Sequence, residues 1–185
     1  MRHDFPVAPW PTGLKITSTV GTVLILGVGV GAFRAIPVPT GFTHQFGLAV
    51  AMILPALLVG SLIFMVTGYA VEGSELYVKR LLWSTRVSLQ GLDRAWIEPA
   101  VCKGSIRVFD NGGLFSFTGL FYSKRLGRYR LFATDISRSV VLVLPSRVVV
   151  ITPAEPEAFI EHVRQSLPNV HIGPPVDGAS MPKSE

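Results

Sequence analysis

The sequence predicts a two-part fold: an α-helical transmembrane hairpin, then a mainly-β domain finished by one C-terminal helix. Three observations predict it. Two long runs near the N-terminus lack charged residues, the chain switches after Tyr69 to short apolar runs separated by turn residues, and a single amphipathic pattern appears near the end. Composition agrees: a mean hydropathy of +0.46, with only 16% charged residues, is oilier than a typical soluble domain. Lysine and arginine outnumber aspartate and glutamate by 17 to 12, and the pI near 9.7 favours anionic surfaces such as lipid headgroups or nucleic acid.

The first run, Ile16 to Phe33, is bracketed by Lys15 and Arg34. At 1.5 Å per residue, about 20 residues cross the roughly 30 Å hydrocarbon core, so this run just spans. The second, Phe46 to Ala70, spans comfortably. A cleaved signal peptide is the rival reading of the first run, but its apolar part exceeds the usual length and a second span follows almost at once. Between the runs, Pro37, Pro39 and Gly41 cannot continue a helix and make a short, stiff connection. Arg2, Lys15, Lys79, Arg80 and Arg86 flank the hairpin on its outer sides, against Arg34 alone in the connection. Positive charge stays inside, which predicts a multi-pass protein of the cell membrane with both termini cytoplasmic. The domain boundaries expected are a 1–14 N-terminal tail, a 15–68 hairpin, a 69–167 β domain and a 168–185 disordered tail. Trp10 and Phe42 suit interfacial anchors, Trp10 equally a loose tail.

Within the first span, Gly27, Gly29 and Gly31 have the wrong spacing for a dinucleotide fingerprint, and no βαβ unit surrounds them. Gly27 and Gly31 lie four apart on one helical face, and Ala56 and Gly60 repeat that spacing in the second span. Small residues so placed let backbones approach, either inside the hairpin or between two copies or partner proteins. Pro55 predicts a kink that a membrane helix tolerates.

From Tyr69 onward YAVEGSELYVKRLLW reads as strand, turn at Glu72-Gly73-Ser74, strand, with Gly68 ending the second helix. Further strands are expected at Trp83 to Leu89, Arg94 to Glu98, Ser105 to Phe109, Tyr129 to Ala133, Val140 to Leu144 and Val148 to Ile151. VVLVL and VVVI suit central strands or ones covered on both faces. In ITPAEPEAFIEHVRQSL, Thr152 with Glu155 fits a capping box with Pro153 at the first helical position, while Pro156 offers a later start. Phe159, Val163 and Leu167 give that helix one apolar face. About seven strands and a helix suggest a curved sheet plugged by the helix. Asp110 before Asn111-Gly112, and Asp135 before Ile136, read as turn chemistry.

Taken together, NGGLFSFTGLFYSKRLGRYRLFATD and VVVITPAEPEAFIEHV resemble the bacterial pleckstrin-homology-like (PH) domain family over Tyr69 to about Leu167. The resemblance implies a PH-like barrel of about seven antiparallel strands capped by the C-terminal helix. It implies little about activity, because members of the superfamily bind lipids, peptides or other proteins.

Lys124, Arg125, Arg128 and Arg130 form a basic stretch without a carboxylate between Asp110 and Asp135. Near an anionic leaflet each such cation contributes about 1 kcal/mol, fading over a Debye length of roughly 8 Å. Lipid-binding relatives place basic residues around the first strand and its turn, whereas here Glu72 and Glu75 give that turn the opposite sign. The stretch therefore reads as a solvated rim or leaflet-facing patch, or as a surface for a protein partner. Phe115, Phe117, Phe121 and Tyr122 fit strand core as well as base stacking, and no motif supports nucleic acid. His3, His44, His162 and His171 fall in separate segments, so no histidine dyad is apparent, and no cofactor or metal set emerges. Cys102 reads as a small packed side chain. The expectation is a non-enzymatic membrane protein presenting an interaction module, as scaffold or accessory subunit for another protein, with anionic lipid sensing as the alternative.

Overall fold

The computed structural model describes residues 2–34, 42–110 and 114–175. Two helices, α1 (Thr12–Arg34) and α2 (Phe42–Ile63), lie side by side. Both are long and apolar enough to cross a membrane and both leave most of their surface uncovered. The connection with Pro37, Pro39 and Gly41, and the side chains of Phe42 and His44, lie outside the described residues. Between the helices, a Cβ on Gly29 would stand 3.9 Å from the ring of Pro55. Gly27 and Gly31 are exposed with open space around them, as two residues along a helix turn the side chain roughly 200° away. Ala56 is exposed too, and a Cβ on Gly60 would meet nothing within 4 Å. The expected small-residue faces thus point away from the hairpin's own contact.

The second apolar run is not one element. Its helix stops at Ile63, and Val66 to Ala70 belongs to β2 (Val66–Glu72). The run stays apolar because its first part faces outward from the helix pair while its last part enters the β-domain core, and hydropathy alone cannot separate the two. β3 (Glu75–Arg80) and β4 (Ser84–Ser88) follow as a meander. Gly73, at φ +57°, supplies the left-handed residue that the tight β2–β3 turn requires.

The described part of the expected 1–14 tail, from Arg2 onward, is not loose. Arg2 to Pro6 form β1, antiparallel to β2 with Phe5 opposite Tyr69. Phe5 is buried against Phe159, with ring centroids 5.1 Å apart, which anchors the strand. This completes a four-stranded sheet in the order β1-β2-β3-β4.

The second sheet has seven strands: β5 (Arg94–Ile97), β6 (Ile106–Asp110), β7 (Phe117–Ser123), β8 (Gly127–Ala133), β9 (Val140–Leu144), β10 (Arg147–Ile151) and the two-residue β11 (His171–Ile172). Their order is β11-β5-β9-β10-β8-β7-β6, so the two sheets do not close into a barrel. Nor is the pairing wholly antiparallel: β10 inserts between β9 and β8 and runs parallel to β8, Val148 beside Tyr129, while β11 runs parallel to β5. Every residue of VVLVL is buried because this sheet carries a core on each face. Val140, Leu142, Val149 and Ile151 meet β2, β3 and α3 (Pro156–Ser166), whereas Val141, Val143, Val148 and Val150 meet Trp96, Val101, Phe121 and Tyr129.

α3 begins at Pro156, where the imide costs no hydrogen bond. Thr152 does not cap it. The residue is fully buried, and its Oγ1 accepts from the Thr134 N–H at 3.0 Å. Beyond α3, Val170 packs on the core and His171 and Ile172 join β5, so the tail is ordered at least that far; residues 176–185 lie outside the described residues.

Candidate functional site

The basic stretch sits on the β7–β8 hairpin. Ser123 pairs with Gly127 across a three-residue turn, Lys124-Arg125-Leu126. The Ser123 hydroxyl accepts from the Leu126 N–H at 3.1 Å, and Gly127 at φ +67° supplies the left-handed position after the turn. Leu126 tucks into the core, which leaves Lys124 and Arg125 exposed at the tip. Arg125 is ion-paired with Glu98. An open groove of about 340 Å³ runs beside the tip, lined by Glu98, Val101, Ile106, Tyr122, Lys124 and Arg125 among others.

On β8, Arg128 and Arg130 project to one face, alternating with the buried Tyr129 and Leu131. They do not share one site. Arg128 stands opposite Tyr122 near the tip, whereas Arg130 lines a second cleft, of about 600 Å³, with Phe64, Arg80, Phe109, Leu120 and Phe132. Arg80 donates through Nε to Thr85 Oγ1 at 3.1 Å and also bonds the Phe64 carbonyl. Its guanidinium lies over the Phe64 and Phe132 rings at 5.6 and 5.5 Å. Partial burial moves its pKa down from the usual guanidinium value. Among the described residues neither Arg80 nor Arg130 forms an ion pair, so the cleft presents two cations above an aromatic floor. The sequence marks Arg80 as a flanking charge and, with Lys79, as a second-strand cation, but carries no clear pointer to Phe64 or Phe109. The available signal was KRLLW, a basic pair running straight into apolar residues at a turn.

Asn111 and Gly112 lie outside the described residues. Asp135 accepts from the Ser137 N–H at 3.0 Å, the turn role expected of it. Cys102 is half-buried, its Sγ 3.7 Å from the Tyr129 hydroxyl, and burial pushes its thiol pKa up. His3 and His162 come together with centroids 4.6 Å apart, a juxtaposition that only the pairing of β1 creates. Burial, then the charge of His3, moves the His162 pKa down.

Two sheets, a closing helix and two open clefts make up the described part of the domain. The chain belongs to the Bacterial PH domain family, whose model matches residues 67–167, more than half of the sequence. No curated protein and no solved structure matches it.

Proposed function

We propose that the chain is an integral membrane protein of two spans, both termini cytoplasmic, that holds its PH-like module at the bilayer as a scaffold or accessory subunit for another protein. The observation that carries this reading is the place of the basic tip. β7 extends over seven residues from the end that touches α1, so Lys124 and Arg125 lie about 20 Å along the strand from the helix-proximal end. The tip is thus the part of β7 farthest from α1, and Lys124 and Arg125 stand there exposed beside an open groove. An ion-paired arginine beside a groove lined by Val101, Ile106 and Tyr122 suits a protein surface better than a diffuse layer of lipid charge. Affinity purification from gently solubilised membranes should recover a defined partner, and exchanging Lys124, Arg125 and Arg128 for Glu should release it. Recovery of the chain alone at every detergent strength refutes the scaffold.

The second reading, sensing of anionic lipid, is favoured by the other cleft, where Arg80 and Arg130 lie beside the end of α2. In that case the full-length protein retains anionic phospholipid through detergent exchange, and Arg80→Gln with Arg130→Gln abolishes the retention. Equal retention by the double variant removes the cleft as its cause.

A further inference from the structure

α1 is too deeply engaged by the β domain for the domain to stand clear of a membrane. The Phe115 N–H donates to the buried Ser18 Oγ at 3.0 Å, and a Cβ on Gly21 would meet Leu114 at 3.1 Å. If Arg34 marks the far boundary, Gly21 lies thirteen residues away, about 20 Å at 1.5 Å per residue. The hydrocarbon core is roughly 30 Å thick, and tilting the helix only shortens its reach. The near boundary therefore falls close to Leu14 and Lys15, and Leu114 to Ser116 lie inside it. Non-helical backbone at that depth must be satisfied by protein, which is the service Ser18 performs. Phe115 sits at φ +65°, a sparsely populated conformation for a bulky residue, held by that hydrogen bond and by the Trp10 ring 6.0 Å away.

A second lip lies at the other helix. The β3–β4 turn carries Leu81, Leu82 and Trp83, with Leu82 71% exposed. Trp83 meets the edge of Phe64 with centroids 5.0 Å apart, and Arg80 bonds the Phe64 carbonyl, so this turn is tied to the point where the chain leaves α2. Phe109, 80% exposed, faces the cleft between the lips. These apolar tips flank the ends of both apolar helices, with arginines just behind, an arrangement complementary to acyl chain below and headgroup above.

We propose that the β domain is sunk into the inner leaflet on this rim, with Leu82 and Leu114 at the acyl boundary and Arg80 and Arg130 at headgroup level. The occupant of the rim is phospholipid. This inference rests on the reading that α1 and α2 cross the bilayer. The test uses the full chain in phospholipid nanodiscs on a Cys102→Ala background, with a nitroxide on Leu82→Cys, Leu114→Cys, Lys124→Cys or Glu157→Cys. Lys124 at the exposed hairpin tip and Glu157 in the exposed first turn of α3 provide the aqueous references. At Leu82 and Leu114, collision with a water-soluble nickel chelate should fall roughly tenfold below the references, because a polar chelate is excluded from hydrocarbon, while collision with oxygen rises. Either label colliding with the chelate as often as the references overturns the inference. Carbonate extraction of the same preparations separates the two levels: a resistant chain with wet labels loses only the rim, whereas an extracted chain loses the spanning reading and the rim with it.

Discussion

Replacing Tyr69 by Phe tests the junction that joins the two sheets. The ring is fully buried, and its hydroxyl donates to the Phe132 carbonyl at 2.6 Å and accepts from the Thr152 N–H at 3.1 Å. Thr152 in turn ties in Thr134 and, through its carbonyl, the Ala8 N–H at 2.9 Å. One phenol thus links β2, the ends of β8 and β10, and the N-terminal arm. Burial pushes its pKa up to about 12, so the hydroxyl stays protonated across the physiological range. Phe keeps the shape and leaves the Thr152 N–H buried without its partner, a loss worth about 1–3 kcal/mol. For a domain of this size each kcal/mol moves the midpoint by roughly 4–8 °C, so a fall of about 4–24 °C is expected. Near-ultraviolet circular dichroism of the full-length protein in detergent measures it. A midpoint unchanged to within about 1 °C would show that Tyr69 serves only as apolar filling and that the junction is held elsewhere.

Gly91→Ala should destabilise the same domain by at least about 1–2 kcal/mol, the cost of a left-handed residue with a side chain. The position has φ +72°, and the new Cβ would meet the Pro145 ring at 2.9 Å; a wild-type midpoint in the same thermal scan would contradict this. The His162 pKa is lower in the folded chain than its ordinary 6.5, so the unfolded chain takes up its proton first as pH falls. Its contribution is therefore complete above pH 6.5 and is lost as pH falls through the folded value. Denaturant midpoints of wild type should drop from pH 7.5 to pH 5 more steeply than those of His162→Gln; parallel pH profiles would assign the loss to other groups.

The local grammar of the chain was legible. Charge-free length specified two helices, Gly73 marked a turn, and Phe159 and Val163 aligned one face of α3, because each depends on residues a few positions apart. β1 was not legible, since five residues with one buried side chain carry no alternation until β2 is beside them. The four basic residues read as one patch because they are close in sequence. A strand spreads neighbours over about 3.3 Å per residue, and this one delivers Arg130 to a different cleft from Lys124.

What the residues determined alone is therefore that two long apolar helices precede a mainly-β region, that VVLVL and VVVI are buried strands, and that one amphipathic helix closes the domain. Tertiary structure decided that β10 lies parallel between β9 and β8, that Gly29 rather than Gly27 or Gly31 meets the second helix, and that Arg80 joins Arg130 over Phe64. The physical reason is the range of the forces involved. Backbone periodicity and turn strain act within a few residues, whereas strand order and cleft lining depend on which distant surfaces exclude water together.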